Sequence, residues 1–311
     1  MEFKQLRSFA AVVRYGGFTK ASEKLYLSQP TISSHIQKLE EELGKRLILR
    51  TTKNLEVTPM GQAVYRRVVD ILALQQQIID VCAHNGQKVI RLGASAIPSA
   101  YVLPQLLPEF GQLYPEVCFT VQQTNSQGVA DGLVGGLYDV GLMGMKGNDQ
   151  LTCIPFCKDR MVLITPAAEP YLSMCVQTPA QLAELLKQPM ILREESSGSR
   201  RTADRFLERM GIREEQLHVV ARINDQEAIK NLVAGGLGIS LISERAAQNF
   251  VEEKRVMKFD LPEHNTRSLY LAHRREYILP AHVKTFLAFV QKKYRNELHL
   301  TGSNERPLTA R

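Results

Sequence analysis

Six polar residues, Gln29, Thr31, Ser33, Ser34, Gln37 and Lys38, are interleaved with Ile32, Ile36, Leu39 and Leu43. On a helix this spacing gathers the apolar side chains on one buried stripe and turns the polar ones outward. Short hydroxyls and amides on the outer face can donate to phosphates and read base edges in a DNA major groove. Ser28 is a good N-cap, and Pro30 falls in the first turn, where its missing N–H costs nothing. An ordinary three-helix domain with a solvated face would present the same pattern.

A second chemistry is written in three polar segments, Ser95 to Ser99, Thr124-Asn125-Ser126 and Ser196-Ser197-Gly198-Ser199. Each follows a strand-like run and precedes a helical one. Ligands of open α/β sheets sit outside the carboxyl ends of strands, and helix N-termini there favour anions. The expectation is a small anionic effector, a carboxylate or an inorganic oxyanion, met by Ser95, Ser99, Asn125, Ser126, Ser196, Ser197 and Ser199. The same residues also serve as plain N-caps. Arg200 either supplies charge or pairs with Glu194.

No catalytic set is found. Gly93-Ala94-Ser95-Ala96-Ile97 lacks the last glycine of a nucleophile elbow, and Gly236-Leu237-Gly238 lacks the third glycine of a dinucleotide fingerprint. No cofactor and no metal site is expected. Five scattered cysteines argue against a disulfide framework and for a reducing cytoplasm. Cys153 and Cys157, four apart, leave a thiol-based redox sensor as the alternative to a metabolite sensor.

These groups need elements to hold them. Phe3, Leu6, Phe9, Ala10 and Val13 make a first helix that ends at Gly16-Gly17, and Thr19 is expected to cap a short helix from Lys20 to Leu25. With the helix after Ser28 this is a helix-turn-helix. Leu47–Arg50 and Leu55–Val57 then read as a two-stranded wing, with Arg50 and Lys53 placed to touch phosphate or a minor groove. Thr58-Pro59 starts a helix running to about His84, whose Val64, Val68, Ile71, Gln75, Ile78 and Cys82 step like a coiled coil. It either pairs two chains or packs on its own domain. From Val89 onward strands and helices alternate in an α/β pattern, expected to be largely parallel.

The 311 residues suffice for two or three domains, and their 44% hydrophobic and 23% charged composition is that of a globular protein. The net charge of +7 favours a polyanionic partner, and residues 1–57 carry ten Lys/Arg against six Asp/Glu. No apolar run is long enough to cross a bilayer and the opening residues lack a signal peptide's apolar stretch, so no membrane association is expected.

Residues 3–62 resemble the LysR-type transcriptional regulators. The matching text is Leu6-Arg7-Ser8-Phe9, Gly17-Phe18-Thr19-Lys20-Ala21-Ser22, Leu25 through Ser33, Ile36 through Gly44, Leu47 through Thr51, and Thr58-Pro59-Met60-Gly61. The rest resembles the family more loosely, through Arg91-Leu92-Gly93-Ala94-Ser95, Tyr114-Pro115-Glu116-Val117, Gly136 through Leu142, Glu194 through Arg200 and Val233 through Ile239. Ile48 stands where Phe is usual, and Ser243 where Pro is common.

The resemblance implies a winged helix-turn-helix over 1–58, a dimerising linker helix over 59–87 and a two-lobed, periplasmic-binding-protein-like effector domain over 88–295, with 296–311 a disordered tail. Lobe I would take 88–163 and 268–295, and lobe II 164–267, with crossovers near Ile164–Thr165 and Thr266–Ser268. It further implies an effector in the cleft between lobes, homotetramers on double-stranded promoter DNA, contact with RNA polymerase, and action as activator or repressor. Carried over residue by residue, Gln29, Thr31, Ser33, Ser34 and Lys38 face DNA, Pro30 sets the helix start, and Thr19 and Arg50 hold the backbone.

Overall fold

The computed structural model describes residues 1–50, 55–83, 87–174, 178–195, 197–262 and 265–295. Lys53, Ser196 and the segment 296–311 lie outside them, as does the end of the linker helix beyond Ala83.

Three helices build the head: α1 (Phe3–Tyr15), α2 (Phe18–Leu25) and α3 (Gln29–Leu43). Gly16 closes α1 and Gly44 closes α3, each with the positive φ that glycine tolerates. Gly17, not Thr19, is the N-cap of α2, so Thr19 sits inside the first turn with its side chain outward. Leu6, Phe9, Ile32, Ile36 and Leu39 form the core, but Leu43 is exposed. The inward place on that stripe belongs to Glu40, which lies in line with Ile32 and Ile36 and is 7% exposed.

Strands β1 (Ile48–Arg50) and β2 (Leu55–Val57) pair antiparallel, Ile48 opposite Val57. Glu40 fastens this wing to α3. Its Oε1 accepts from the amides of Leu47 at 2.7 Å and Ile48 at 3.0 Å, and its Oε2 from Arg46 at 2.8 Å. Three donors compensate a carboxylate that burial alone would disfavour.

Helix α4 (Pro59–Ala83) is capped as its sequence suggests, Thr58 Oγ1 accepting from Gly61 N at 2.8 Å. It spans ~38 Å at 1.5 Å per residue. Its first half packs Tyr65, Val68 and Val69 into the head core. Its second half leaves Leu74 55% and Ile78 68% exposed.

The remaining strands are β3 (Lys88–Ala94), β4 (Val117–Gln123), β5 (Val140–Met143), β6 (Leu151–Pro166), β7 (Met190–Arg193), β8 (Val219–Ile223), β9 (Ser240–Ser243), β10 (Val256–Asp260) and β11 (Thr266–Arg274). One sheet runs β10-β6-β11-β5-β3-β4, with β9 also on β6. β3 pairs parallel with β4 and β5, while every pairing of β6 and β11 is antiparallel. The sheet is therefore mixed, not largely parallel: the two strands that pass between lobes run against their neighbours.

Strand β6 explains the two lobes. Its Leu151–Arg160 stretch pairs with β11, and from Met161 onward it pairs with β9 and β10. The exchange falls at Arg160–Met161, ahead of Ile164–Thr165, because one 16-residue strand continues straight through both lobes. Met161 N donates to Asn265 O at 2.9 Å and ties this crossover to the return strand. Helices α5 (Leu103–Leu113), α6 (Ser126–Val134) and α11 (Ala281–Lys293) cover lobe I. Helices α7 (Pro179–Leu185), α8 (Gly198–Arg209), α9 (Gln226–Ala234) and α10 (Glu244–Glu252) cover lobe II. α10 and β10 were not expected from the sequence.

Candidate functional site

The outer face of α3 presents Gln29, Pro30, Ser34, Gln37 and Lys38 to solvent, with Thr31 and Ser33 half-buried. Ser28 Oγ accepts from Thr31 N at 3.3 Å and lies 2.7 Å from Thr31 Oγ1. Thr31 is thus engaged in the cap, while Gln29 and Ser34 project freely along the helix start. His35 is anchored to Ser8 at 2.8 Å, which fixes α3 against α1. Thr19, at the start of α2, is exposed. Arg50 ends β1 opposite Leu55, at the loop end of the wing.

A cavity of about 420 Å³ opens between the lobes. Ser95, Ile97, Gln123, Thr124, Asn125, Ser126 and Gly144 line it from lobe I, and Arg193, Glu194, Ser197, Gly198, Ser199 and Asn224 from lobe II. Arg267 closes its floor from β11. Of the expected residues, Ser95, Asn125, Ser126, Ser197 and Ser199 converge here. Ser99 does not line the cavity; it lies one turn on, its amide bonded to Ser95 O at 2.9 Å.

The hydroxyls are oriented by backbone amides. Gly144 N donates to Ser95 Oγ at 3.1 Å and to Ser126 Oγ at 3.2 Å. Each oxygen is used as an acceptor, so each hydroxyl proton is available to donate into the cavity. Ser197 Oγ likewise accepts from Ser199 N at 3.2 Å as the N-cap of α8, and Asn125 Oδ1 accepts from Gly128 N at 2.7 Å as the N-cap of α6. Two helix N-termini therefore meet at the cavity from opposite lobes.

Two arginines of the cleft were not expected from the sequence. Arg267 is 7% exposed and paired with Asp159, at 2.8 Å from Nε and 2.7 Å from Nη2, and Ser243 donates to the same carboxylate. Arg193 is buried, doubly bonded to Glu194 at 2.8 and 2.9 Å, and donates to Gln226 at 2.8 Å. Arg193 and Asn224 stand at the carboxyl ends of β7 and β8, the same rule that found the serines. Arg200 is spent elsewhere: it pairs with Asp204 and Glu214 and donates to Arg193 O, so it braces the loop and leaves Glu194 to Arg193.

A contact beside the cavity joins the lobes. Tyr101, in the turn before α5, donates to Glu227 of α9 at 2.6 Å. Burial, then the Glu227 carboxylate, pushes the phenol far up, so it stays a donor. Lys230 completes the cluster, fully buried at 2.7 Å from Glu227 and 3.1 Å from Asn249.

Cys153 and Cys157 stand four residues apart on β6, roughly 10–13 Å along a strand, against the ~7 Å limit for a disulfide. Cys157 is fully buried, with Arg245 Nη2 3.1 Å from its sulfur. Among the described residues no group of acidic, His or Cys side chains could hold a metal ion, and no helix is long and apolar enough to cross a membrane.

This architecture, a winged head joined by a rod to two lobes around a polar cleft, is that of a ligand-responsive DNA-binding regulator. Residues 3–62 match the family described as bacterial regulatory helix-turn-helix protein, lysR family, and residues 83–295 match the LysR substrate binding domain. The chain is 31% identical over 293 residues to the uncharacterized HTH-type transcriptional regulator MJ0300 of Methanocaldococcus jannaschii, covering 92% of this chain and 97% of that one. Among solved structures it is similar to a full-length OxyR variant from Pseudomonas aeruginosa, with TM-score 0.63, 20% identity and coverage of 94% and 95%. The regulatory domain of Synechocystis CcmR in complex with 2-PG gives TM-score 0.61 at 25% identity, covering 68% of this chain and 99% of that one. The chain belongs to the LysR family of transcriptional regulators: it binds DNA through its helix-turn-helix, carries an effector-binding domain, and is not an enzyme.

Proposed function

We propose that the cleft binds a small anionic effector and that its occupancy sets how paired heads engage promoter DNA. The observation that carries this reading is the convergence of Ser95 and Ser126 on the Gly144 amide, which leaves both hydroxyl protons to donate, in a cavity that Ser197 and Ser199 line from the other lobe. Arg193 and Arg267 add positive charge, but Glu194 and Asp159 balance them. The preference for an anion therefore rests on hydroxyl donors and two helix N-termini, not on net charge. A cavity of about 420 Å³ exceeds what an inorganic oxyanion fills and fits an organic carboxylate or phosphate. The CcmR domain solved with 2-PG supports a small-molecule effector for this fold.

The division into a head over 1–58, a linker over 59–87 and an effector domain over 88–295 belongs to the same proposal. So does a cytoplasmic homodimer through α4 that assembles into a tetramer, with RNA polymerase as a further partner. Gln29, Ser33, Ser34, Lys38, Arg50 and Lys53 are assigned to DNA. Titration calorimetry with a panel of carboxylates, phosphates, amines and apolar metabolites tests the effector class. Binding confined to an acidic member is expected; binding confined to amines or apolar members overturns the proposal.

A further inference from the structure

Helix α6 has one end in each functional region of the chain. Its N-terminus, Asn125 and Ser126, lines the cleft. Its C-terminus meets the DNA-binding head: the Gly135 carbonyl accepts from the Arg14 guanidinium of α1, and Val134 packs into the head core. Gly136, at φ +69°, presses on the rod so closely that a Cβ there would lie 2.8 Å from Val69 Cγ1. Nine residues separate these ends, ~14 Å at 1.5 Å per residue.

We infer that α6 is the element through which an occupied cleft acts on the head of its own chain, with Arg14 as the positioning residue. The inference rests on the anionic-effector reading above. Charge and packing both support it. An anion at the α6 N-terminus and a guanidinium at its C-terminal carbonyl each stabilise their own end of the helix dipole, so both ends of α6 are tied to a charged partner and the packing between them carries the coupling. Val129, Ala130 and Leu133 are buried along its length, so the helix moves as a body. At the far end, Gly135 and Gly136 meet Arg14 and Val69 with no space to absorb a shift, and close-packed groups transmit what they cannot absorb. The head must follow by movement of α1 against the lobe.

Hydrogen–deuterium exchange on the full-length protein tests this with neither effector nor operator in hand. Asn125→Ala removes the cap at the cleft end and is expected to speed exchange in α6 about fivefold, the effect of a lost N-cap. The coupling requires that exchange in α1 also changes, that Arg14→Ala abolishes the α1 response while leaving the α6 response, and that Arg14→Lys, which keeps a cation at Gly135, restores it. Ser126→Ala serves as a second cleft variant. An α1 that ignores both cleft variants overturns the inference. In a parallel arm, inorganic phosphate at millimolar concentration probes the anion reading. Protection around Gly128 and Gly144 that reaches α1 only when Arg14 is present supports both readings, and protection confined to the cleft overturns the coupling. Protection at neither end counts against the anion reading alone, and the Asn125→Ala result still decides the role of α6.

Discussion

Gly144 of lobe I and Gly198 of lobe II meet backbone to backbone beside the cleft. A Cβ on Gly198 would lie 2.9 Å from the Gly144 carbonyl oxygen and 3.1 Å from its carbon. The lobes approach this closely because Gly198 has no side chain, and the serines at positions 95, 126, 197 and 199 line the cleft on either side of this contact.

Gly198→Ala should therefore wedge the lobes apart. Alanine is the better helix former, so the urea midpoint should move little. Effector affinity, read by calorimetry, should fall tenfold or more, about 1.4 kcal/mol. An unchanged affinity would show that this contact does not set the cleft width.

Asp159 holds Arg267 in place. Removing a charge from a buried pair leaves the other uncompensated, a cost of about 3–5 kcal/mol. Asp159→Asn should lower stability toward that range, whereas Ser243→Ala, which removes one bond to the same carboxylate, should cost about 1.5–3 kcal/mol. Urea denaturation monitored by circular dichroism measures both. Equal midpoints for wild type and Asp159→Asn would sink the claim that this pair braces the cleft floor.

Much of this was legible in the sequence, and the gaps have physical reasons. Ser28, Pro30, Gly16 and Gly44 are local signals, and each marks its helix end as read. Ser95, Asn125, Ser126, Ser197 and Ser199 follow from the rule that ligands gather at strand ends; after β7 the rule, read for hydroxyls, passes over Arg193, and applied to the end of β8 it would have reached Asn224. Glu40 was visible as a polar residue on the stripe of Ile32 and Ile36, but a stripe is read for its apolar members. Arg267 and Asp159 pair across 108 residues of sequence, and no local pattern encodes that. The length of β6 escaped because its two halves serve different lobes and carry different neighbours.

The DNA-facing assignments separate by salt dependence. Ser33→Ala and Arg50→Ala should each weaken operator binding in a gel-shift titration while the fold, read by circular dichroism, is retained. A base or groove contact costs about 1–3 kcal/mol. Lys38→Ala should reduce the slope of log affinity against log salt by about one, as expected for a lost phosphate contact. Wild-type affinity and slope in all three would remove α3 and the wing from the interface.

The exposed apolar half of α4 carries the dimer proposal. Leu74 and Ile78 lie four apart on one side of the helix. Replacing Ile78 by Asp places a charge in that seam and should shift sedimentation from the assembled species toward the monomer, with Leu74→Asp acting alike. Unaltered sedimentation in both would place the subunit contact elsewhere.

Footprinting the purified full-length chain on genomic fragments it selects, with and without each member of an anionic metabolite panel, tests most directly whether the cleft governs the heads. The expected result is a protected site longer than one turn of duplex whose boundaries move when one acidic metabolite is added and stay fixed with cationic ones. A footprint that no anion alters, or that only a cation or an apolar compound alters, would contradict it.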